Sequence, residues 1–191
     1  MVMTKSILLV GVGGQGAILV SKVLTAGLVS VGFDVKMSEV HGMAQRGGSV
    51  STQVRYGEKV HSPIIGTGAA DLLVAFEQME AVRYANYLKP DGIALISDRA
   101  IMPMSVASGQ AEYPKGCIEA MQQKFNTVVV KADEISRELG NSRCQNIVLF
   151  GALTKVLGLN QIDWEAVMRE VLPPKILDIN LLAFRKGREA I

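Results

Sequence analysis

Short apolar runs alternate with longer segments of helical spacing along the first part of the chain. The run SILLV at 6–10 is apolar throughout, which is typical of a strand buried on both faces. From 17 to 31 the apolar residues recur at helical spacing, and Gly32 follows as a C-terminal cap. Residues 33–40 alternate between apolar and polar and predict a second strand. The chain therefore opens with a strand–helix–strand unit.

The remaining pattern predicts more strands and then a helical end. The stretch between 97 and 126 is rich in proline and glycine and predicts irregular structure. Asp163 is placed to cap the helix that follows it. We expect one α/β domain over 1–191, Rossmann-like and three-layered, with a mostly parallel sheet and a helical C-terminal third. Strands are predicted at 49–57, 70–77, 92–97 and 126–132, and helices at about 79–88, 132–140, 145–158, 163–172 and over the tail from 176.

Composition narrows the classes of protein that the chain can represent. Its 191 residues carry a net charge of +2 and no evident basic patch, which argues against nucleic-acid binding. Hydrophobic residues make up 49% and the mean hydropathy is +0.26, as expected either of a subunit that buries surface against a partner or of a large core. The first apolar run is too short for a signal-peptide core or a membrane span, so we expect no membrane association.

The two cysteines, Cys117 and Cys144, are far apart and form no C-x-x-C motif. This spacing predicts neither a disulfide framework nor a zinc or iron–sulfur site. Two reduced thiols are typical of a cytoplasmic protein. We therefore predict a cytoplasmic chain with no metal ligands.

A glycine-rich turn joins the first predicted strand to the first predicted helix. Its candidate ligand-binding residues are Gly11, Gly13, Gly14, Gln15 and Gly16. Three of the glycines match G-x-G-x-x-G in the strand-to-helix context that the pattern requires, and no Gly-Lys-Ser/Thr follows, so the turn is not a P-loop. The first turn of a helix leaves N–H groups unpaired at the positive end of its dipole, where a diphosphate can approach a bare backbone. Alternatively, the glycines only let the helix pack close to the strand.

A second candidate anion site is Arg46 followed by Gly47 and Gly48. A guanidinium beside two glycines can clamp an anion. An arginine here can also dock a partner chain, pair with a neighbouring acid or remain solvated. The sequence leaves these uses open.

Glu39, near the end of the second predicted strand, lies where a nicotinamide-binding domain holds the ribose hydroxyls. A free-standing NAD(P)-binding oxidoreductase is therefore one alternative. The only histidines, His41 and His61, lie in no recognisable catalytic arrangement. We predict no catalytic residue in this chain.

Three stretches together resemble a known family: GVGGQGAILVSKVL (11–24), SEVHGMAQRGGSVSTQVRYG (38–57) and ADLLVAFEQMEAVR (70–83). They are similar to the gamma domain of the 2-oxoacid:ferredoxin oxidoreductases. NIVLFGAL (146–153) and NLLAFRKG (180–187) also fit that pattern, so the resemblance covers nearly the whole chain. A free-standing domain with the form EVHGMAQRGG most resembles the small beta subunit in the indolepyruvate branch of this family.

The resemblance implies a share in a larger enzyme. That family decarboxylates a 2-oxoacid on thiamine diphosphate, passes electrons through [4Fe–4S] clusters to ferredoxin and releases an acyl-CoA. In the indolepyruvate branch the acids are aryl pyruvates. The thiamine diphosphate, its Mg²⁺ and the clusters belong to a large partner subunit, which agrees with a chain whose two separate cysteines cannot supply four thiolates.

On this basis we expect the chain to support assembly and to hold no cofactor tightly. We expect the glycine turn, helped by Arg46, Gly47 and Gly48, to bind the phosphates of coenzyme A, the polyanionic participant that must be brought to the thioester-forming step. Positioning it would supply proximity rather than acid–base catalysis. The alternatives are a loop that docks the large subunit, and a purely structural subunit with an empty cleft.

Overall fold

The computed structural model describes residues 4–41 and 47–191, and within them six strands form one sheet in the order β2-β3-β1-β4-β5-β6. The strands are β1 (Lys5–Val12), β2 (Asp34–His41), β3 (Ser49–Gly57), β4 (Ala70–Ala75), β5 (Leu88–Ser97) and β6 (Asn126–Val130). The helices are α1 (Ala17–Ser30), α2 (Gln78–Arg83), α3 (Met104–Ala107), α4 (Cys117–Lys124), α5 (Ala132–Glu138), α6 (Gln145–Leu157), α7 (Trp164–Val171) and α8 (Pro174–Glu189).

The sheet is mostly parallel, as predicted, with one strand reversed. β1, β4, β5 and β6 pair in parallel, whereas β3 lies antiparallel between β1 and β2. The predicted strand–helix–strand unit is therefore split, because α1 crosses over β3 to reach β2. The five strands that share a direction all end at one edge of the sheet, called the carboxyl edge below.

Helices cover both faces of the sheet and give the predicted three layers. Ile7 and Leu9 of β1 enter a large core shared with α1, α6, α7 and α8, while Leu8 and Val10 enter a smaller core under α2 and α4. This alternation is what a strand buried on both faces requires. Among the described residues, none of the helices combines the length and the apolarity needed to cross a bilayer.

Two local predictions were wrong. The helix predicted over 79–88 ends at Arg83, and Leu88 already belongs to β5, where it is buried and pairs with Ala70. Pro90 is tolerated because it lies where the register between β4 and β5 shifts, so no ladder hydrogen bond is lost there. The stretch predicted as irregular contains α4, which buries Cys117 and Met121 on one face.

Candidate functional site

β1 ends near the middle of the carboxyl edge, and later strands of the chain lie on both sides of it. β3 and β2 lie on one side of β1, and β4, β5 and β6 lie on the other. In open α/β sheets, ligands bind outside the carboxyl ends of the strands at such a switch point. The predicted glycine turn lies at this position, between β1 and α1.

The backbone of the turn explains why glycine is needed at two positions. Gly14 has φ +102° and Gly16 has φ +81°, in the left-handed region that disfavours other residues. A Cβ at Gly16 would also lie 2.3 Å from Asn146 Nδ2, whereas one at Gly14 would meet nothing within 4 Å. Gly11 serves close packing, because a Cβ there would lie 3.1 Å from the Cβ of Phe76. Gly11 and Gly16 thus allow close packing, whereas the space beside Gly14 is open.

Several amides of the predicted site are already used within the fold. The N–H of Gly13 donates to the carbonyl of Gly48 at 2.8 Å, and the N–H of Gly47 donates to the carbonyl of Gly13 at 3.2 Å. These two bonds continue the β1–β3 ladder beyond the strand ends. Gly13, Gly47 and Gly48 are thereby brought beside the turn, but the amides of Gly13 and Gly47 are not free to bind an anion.

Other amides remain available at the N-terminus of α1. Within residues 4–41 and 47–191, the N–H groups of Gly14, Gly16, Ala17 and Ile18 have no hydrogen-bond acceptor. They belong to the turn and first residues of a 14-residue helix, whose dipole adds partial positive charge. The arrangement can hold an anion with backbone donors alone.

The side chain of Gln15 forms part of the framework of the turn. Its Oε1 accepts from the N–H of Val12 at 2.8 Å, and its Nε2 donates to the carbonyl of Phe76 at 2.7 Å. The amide group thus ties the end of β1 to the end of β4. Both polar atoms of the Gln15 side chain therefore hold the framework of the turn. Arg46, the other predicted side-chain contact, lies outside the described residues.

Two clefts open on either side of the turn. The first, of about 330 Å³, lies between the turn and the ends of β2 and β3, and the second, of about 490 Å³, lies between Gly47–Ser49 and the segment after β5. The first is lined by Val12 to Ile18, Glu39, Val40 and Val50 to Thr52. The second is lined by Val12, Gly47 to Ser49, Met79, Glu80, Arg83, Ile101 to Met104 and Ala107.

The position of Glu39 does not favour a nicotinamide site of the ordinary kind. Glu39 lines the first cleft and pairs with Thr52 across the β2–β3 ladder. Because β3 intervenes, β2 lies two strand spacings from β1, about 10 Å, rather than one. The carboxylate is therefore displaced from the position next to β1 that holds ribose hydroxyls in dinucleotide-binding folds.

Two buried carboxylates beyond β4 support the walls of the second cleft. Glu77 caps α2 by accepting from the N–H of Glu80 at 2.9 Å, and it also accepts from the N–H of Ile101 at 3.1 Å and from the hydroxyl of Tyr113. Glu80 accepts from the hydroxyl of Ser49 and, at 3.0 Å, from Nε of Arg83. Glu77 therefore fastens the wall of the second cleft that follows β5 to the start of α2.

One residue at the turn was missed by sequence reasoning. Asn146, at the start of α6, donates from Nδ2 to the carbonyl of Gly16 at 3.3 Å, and it is 5% exposed. The only sequence signal was its place at the head of the family-like stretch 146–153.

The cysteines do not come together. Cys144 packs in the large core, and Cys117 begins α4 on the opposite face of the sheet. Among the described residues, no three His, Cys, Asp or Glu side chains converge as the ligands of a metal ion would. With two cysteines in its sequence, the chain cannot by itself supply the four thiolates of an iron–sulfur cluster.

Sequence relatives match nearly the whole chain. The indolepyruvate oxidoreductase subunits IorB of Thermococcus kodakarensis and Pyrococcus horikoshii are each 38% identical, over 97% of this chain and 95% of their own length. The 2-oxoglutarate synthase subunit KorC of Methanothermobacter thermautotrophicus is 31% identical over 98% of this chain and 95% of its own.

Solved structures share the fold. A keto/oxoacid ferredoxin oxidoreductase gamma subunit from Geobacter sulfurreducens superposes with a TM-score of 0.72 at 23% identity, covering 98% of this chain and 96% of its own. A 2-oxoglutarate:ferredoxin oxidoreductase from Magnetococcus marinus, with 2-oxoglutarate, coenzyme A and succinyl-CoA bound, superposes with a TM-score of 0.74 at 18% identity, covering 98% of this chain and 31% of its own. The pyruvate ferredoxin/flavodoxin oxidoreductase family model matches residues 6–190, and the chain belongs to this family.

Proposed function

We propose that the whole chain, 1–191, is one gamma-type domain acting as the small, non-catalytic subunit of a 2-oxoacid:ferredoxin oxidoreductase. The complex oxidatively decarboxylates indolepyruvate or a related aryl pyruvate to an acyl-CoA. This subunit supports assembly and binds the phosphates of coenzyme A. The large partner subunit carries thiamine diphosphate, Mg²⁺ and the [4Fe–4S] clusters, and ferredoxin accepts the electrons. The two buried, unpaired thiols support a cytoplasmic location.

The choice of the indolepyruvate branch rests on the relatives. Identity to the IorB subunits is 38%, against 31% to a KorC subunit, at similar coverage. Both relatives are matched over 95% of their own length. The aryl pyruvate is bound in this proposal by the large subunit, because the decarboxylation takes place there.

One observation carries the proposed coenzyme A site. The amides of Gly14, Gly16, Ala17 and Ile18, which have no acceptor among the described residues, lie at the switch point of the sheet, on a cleft of about 330 Å³. Backbone donors at a helix N-terminus suit the diphosphate of coenzyme A. Gly48 lies beside the turn, and Arg46 precedes it by two positions in the sequence. The bound coenzyme A of the Magnetococcus marinus enzyme supports the choice of ligand. The turn would hold this substrate in place and leave proton transfer to other groups.

A matched pair of substitutions at Gly14 tests this site. A Cβ at Gly14 meets nothing within 4 Å, so a side chain there projects into open space. Asn and Asp have the same size and are the residues that best tolerate a positive φ. In the complex reassembled with the large subunit, we expect Gly14→Asp to raise the KM for coenzyme A about tenfold above that of Gly14→Asn, because it places a negative charge at the phosphate site.

Two outcomes separate the proposal from its rivals. Equal KM values for coenzyme A in both variants would contradict a phosphate site at the turn. Weakened co-elution with the large subunit, at unchanged KM, would indicate that the loop docks the partner instead. Arg46→Ala, measured in the same way, tests whether the arginine that precedes Gly47 in the sequence also contributes. We expect a rise in the same KM with the KM for the 2-oxoacid unchanged.

A further inference from the structure

The peptide unit between Gly16 and Ala17 is fixed by three hydrogen bonds to its carbonyl oxygen. The carbonyl of Gly16 accepts from the N–H groups of Leu19 and Val20 at 3.1 and 3.3 Å, and from Nδ2 of Asn146 at 3.3 Å. The carbonyl and the following N–H lie in one plane and point in opposite directions. A side chain that fixes the carbonyl of Gly16 therefore also fixes the direction of the N–H of Ala17.

Asn146 is itself held rigidly. Its Oδ1 accepts from the N–H of Ile147 at 3.0 Å, and 5% of the residue is exposed. It stands at the start of α6, which α8 packs against at very short distance, since a Cβ at Gly151 would lie 2.1 Å from the carbonyl oxygen of Phe184. The Nδ2 group therefore constrains Gly16 from a separate part of the fold.

Gln15 constrains the turn from the side of the sheet. Its two bonds, to the N–H of Val12 and to the carbonyl of Phe76, join the end of β1 to the end of β4. The two constraints are independent, since one comes from α6 and the other from β4.

We infer that Asn146 and Gln15 are positioning residues for the phosphate site. They aim the amides of Gly16 and Ala17 at the anion and touch no ligand themselves. This inference rests on the proposed coenzyme A site at the turn. Donors fixed in advance lose less freedom on binding, so removing either side chain weakens the binding of coenzyme A selectively.

Matched substitutions separate positioning from stability. Asn180, on α8, is 6% exposed and donates from Nδ2 to the carbonyl of Ile176 at 2.7 Å, so Asn180→Ala removes a comparable bond away from the turn. In the reassembled complex, we expect Asn146→Ala to raise the KM for coenzyme A about 5- to 20-fold. The kcat at saturating coenzyme A and the KM for the 2-oxoacid should stay within about twofold. Asn180→Ala should leave all three within about twofold while lowering the denaturant midpoint of the subunit similarly.

Gln15→Ala tests the same inference through the other constraint, and it decides the question if Asn146→Ala does not assemble. Its control is Gln53→Ala. Gln53 lies on β3 and accepts from the N–H of Ile65 at 2.5 Å, so this substitution also removes a hydrogen bond of a glutamine side chain. A second readout is hydrogen exchange of the peptide spanning 13–20, which coenzyme A should slow in the wild-type complex and slow less in Asn146→Ala and Gln15→Ala.

The outcomes distinguish this inference from the proposed function. If Gly14→Asp raises the KM for coenzyme A but Asn146→Ala and Gln15→Ala match their controls, the positioning role is overturned and the site survives. If Gly14→Asp also leaves that KM unchanged, the site and the positioning role are overturned together.

Discussion

Tyr56 lies on β3 with its ring in the large core, where 5% of the residue is exposed, edge-on to Phe33 at 5.2 Å between ring centroids. Burial, with a smaller contribution from the charge of Asp71, raises the pKa of its phenol to about 12. The phenol of an unfolded chain ionises near pH 10. Between about pH 10 and 12, the phenol of Tyr56 is therefore ionised in the unfolded chain and still protonated in the folded one.

The expected result is a loss of stability at alkaline pH. The folded pKa is the higher one, so the contribution of Tyr56 is fully present below about pH 10 and is lost as the pH rises toward 12. Two pKa units correspond to about 2–3 kcal/mol. Urea unfolding of wild type and Tyr56→Phe between pH 8 and 12 checks this, because Phe keeps the ring and removes the titration. Parallel pH curves for the two proteins would contradict the assignment.

At the scale of single residues, local chemistry was predictable and distant contacts were not. Asp163 caps α7, as predicted, by accepting from the N–H of Ala166 at 3.0 Å, because a cap depends on residues three apart. The contact of Asn146 with Gly16 spans 130 residues, and nothing in the local sequence specifies it. The same limit applies to Gln15, whose partner Phe76 directly follows β4.

Two glycines set the distance between α6 and α8. A Cβ at Gly187 would lie 1.9 Å from the carbonyl oxygen of Val148, and one at Gly151 would lie 2.1 Å from that of Phe184. Each helix thus presents bare backbone to the other. The two stretches at 146–153 and 180–187 that fit the family pattern meet at this crossing, so part of what makes them family-like is helix packing.

Substitution of either glycine should force the helices apart. We expect Gly187→Ala to destabilise the chain by about 1–3 kcal/mol or more, because the obstacle is backbone that cannot rotate away. Gly66→Ala is the control, since a Cβ there meets nothing within 4 Å and its φ is not positive. Chemical unfolding of both variants measures the difference. A Gly187→Ala protein as stable as Gly66→Ala would show that the helices can separate at little cost.

At the scale of elements, periodicity identified the type of most elements but not their neighbours. The strict alternation over 49–57 correctly predicted β3, yet alternation contains no information on where a strand inserts. The antiparallel placement of β3 between β1 and β2 moved Glu39 one strand farther from the glycine turn. The end of β2 was predicted correctly, but the position of that strand in the sheet removed the reason to assign Glu39 to a nicotinamide site.

At the scale of the whole molecule, the features of the candidate site lie at one edge of the sheet. The glycine turn, both clefts around it and the exposed apolar side chains of Ile18, Val40, Met102 and Met104 lie along the carboxyl edge. Met104 is 82% exposed and Met102 is 53% exposed. An edge with both free amides and exposed apolar groups suits a subunit that contributes to a site shared with a partner, as the proposed function requires.

The proposed division of labour predicts where the redox groups reside. Cys117 and Cys144 lie on opposite faces of the sheet, and burial raises the pKa of both thiols, which disfavours the thiolate that binds iron. When the complex is purified and its subunits are separated, iron and thiamine diphosphate should follow the large subunit. A complex that carries Cys117→Ala and Cys144→Ala should keep the iron content of the wild type. Loss of iron in that double variant, or iron that elutes with this chain alone, would assign a cluster to the small subunit and overturn the division.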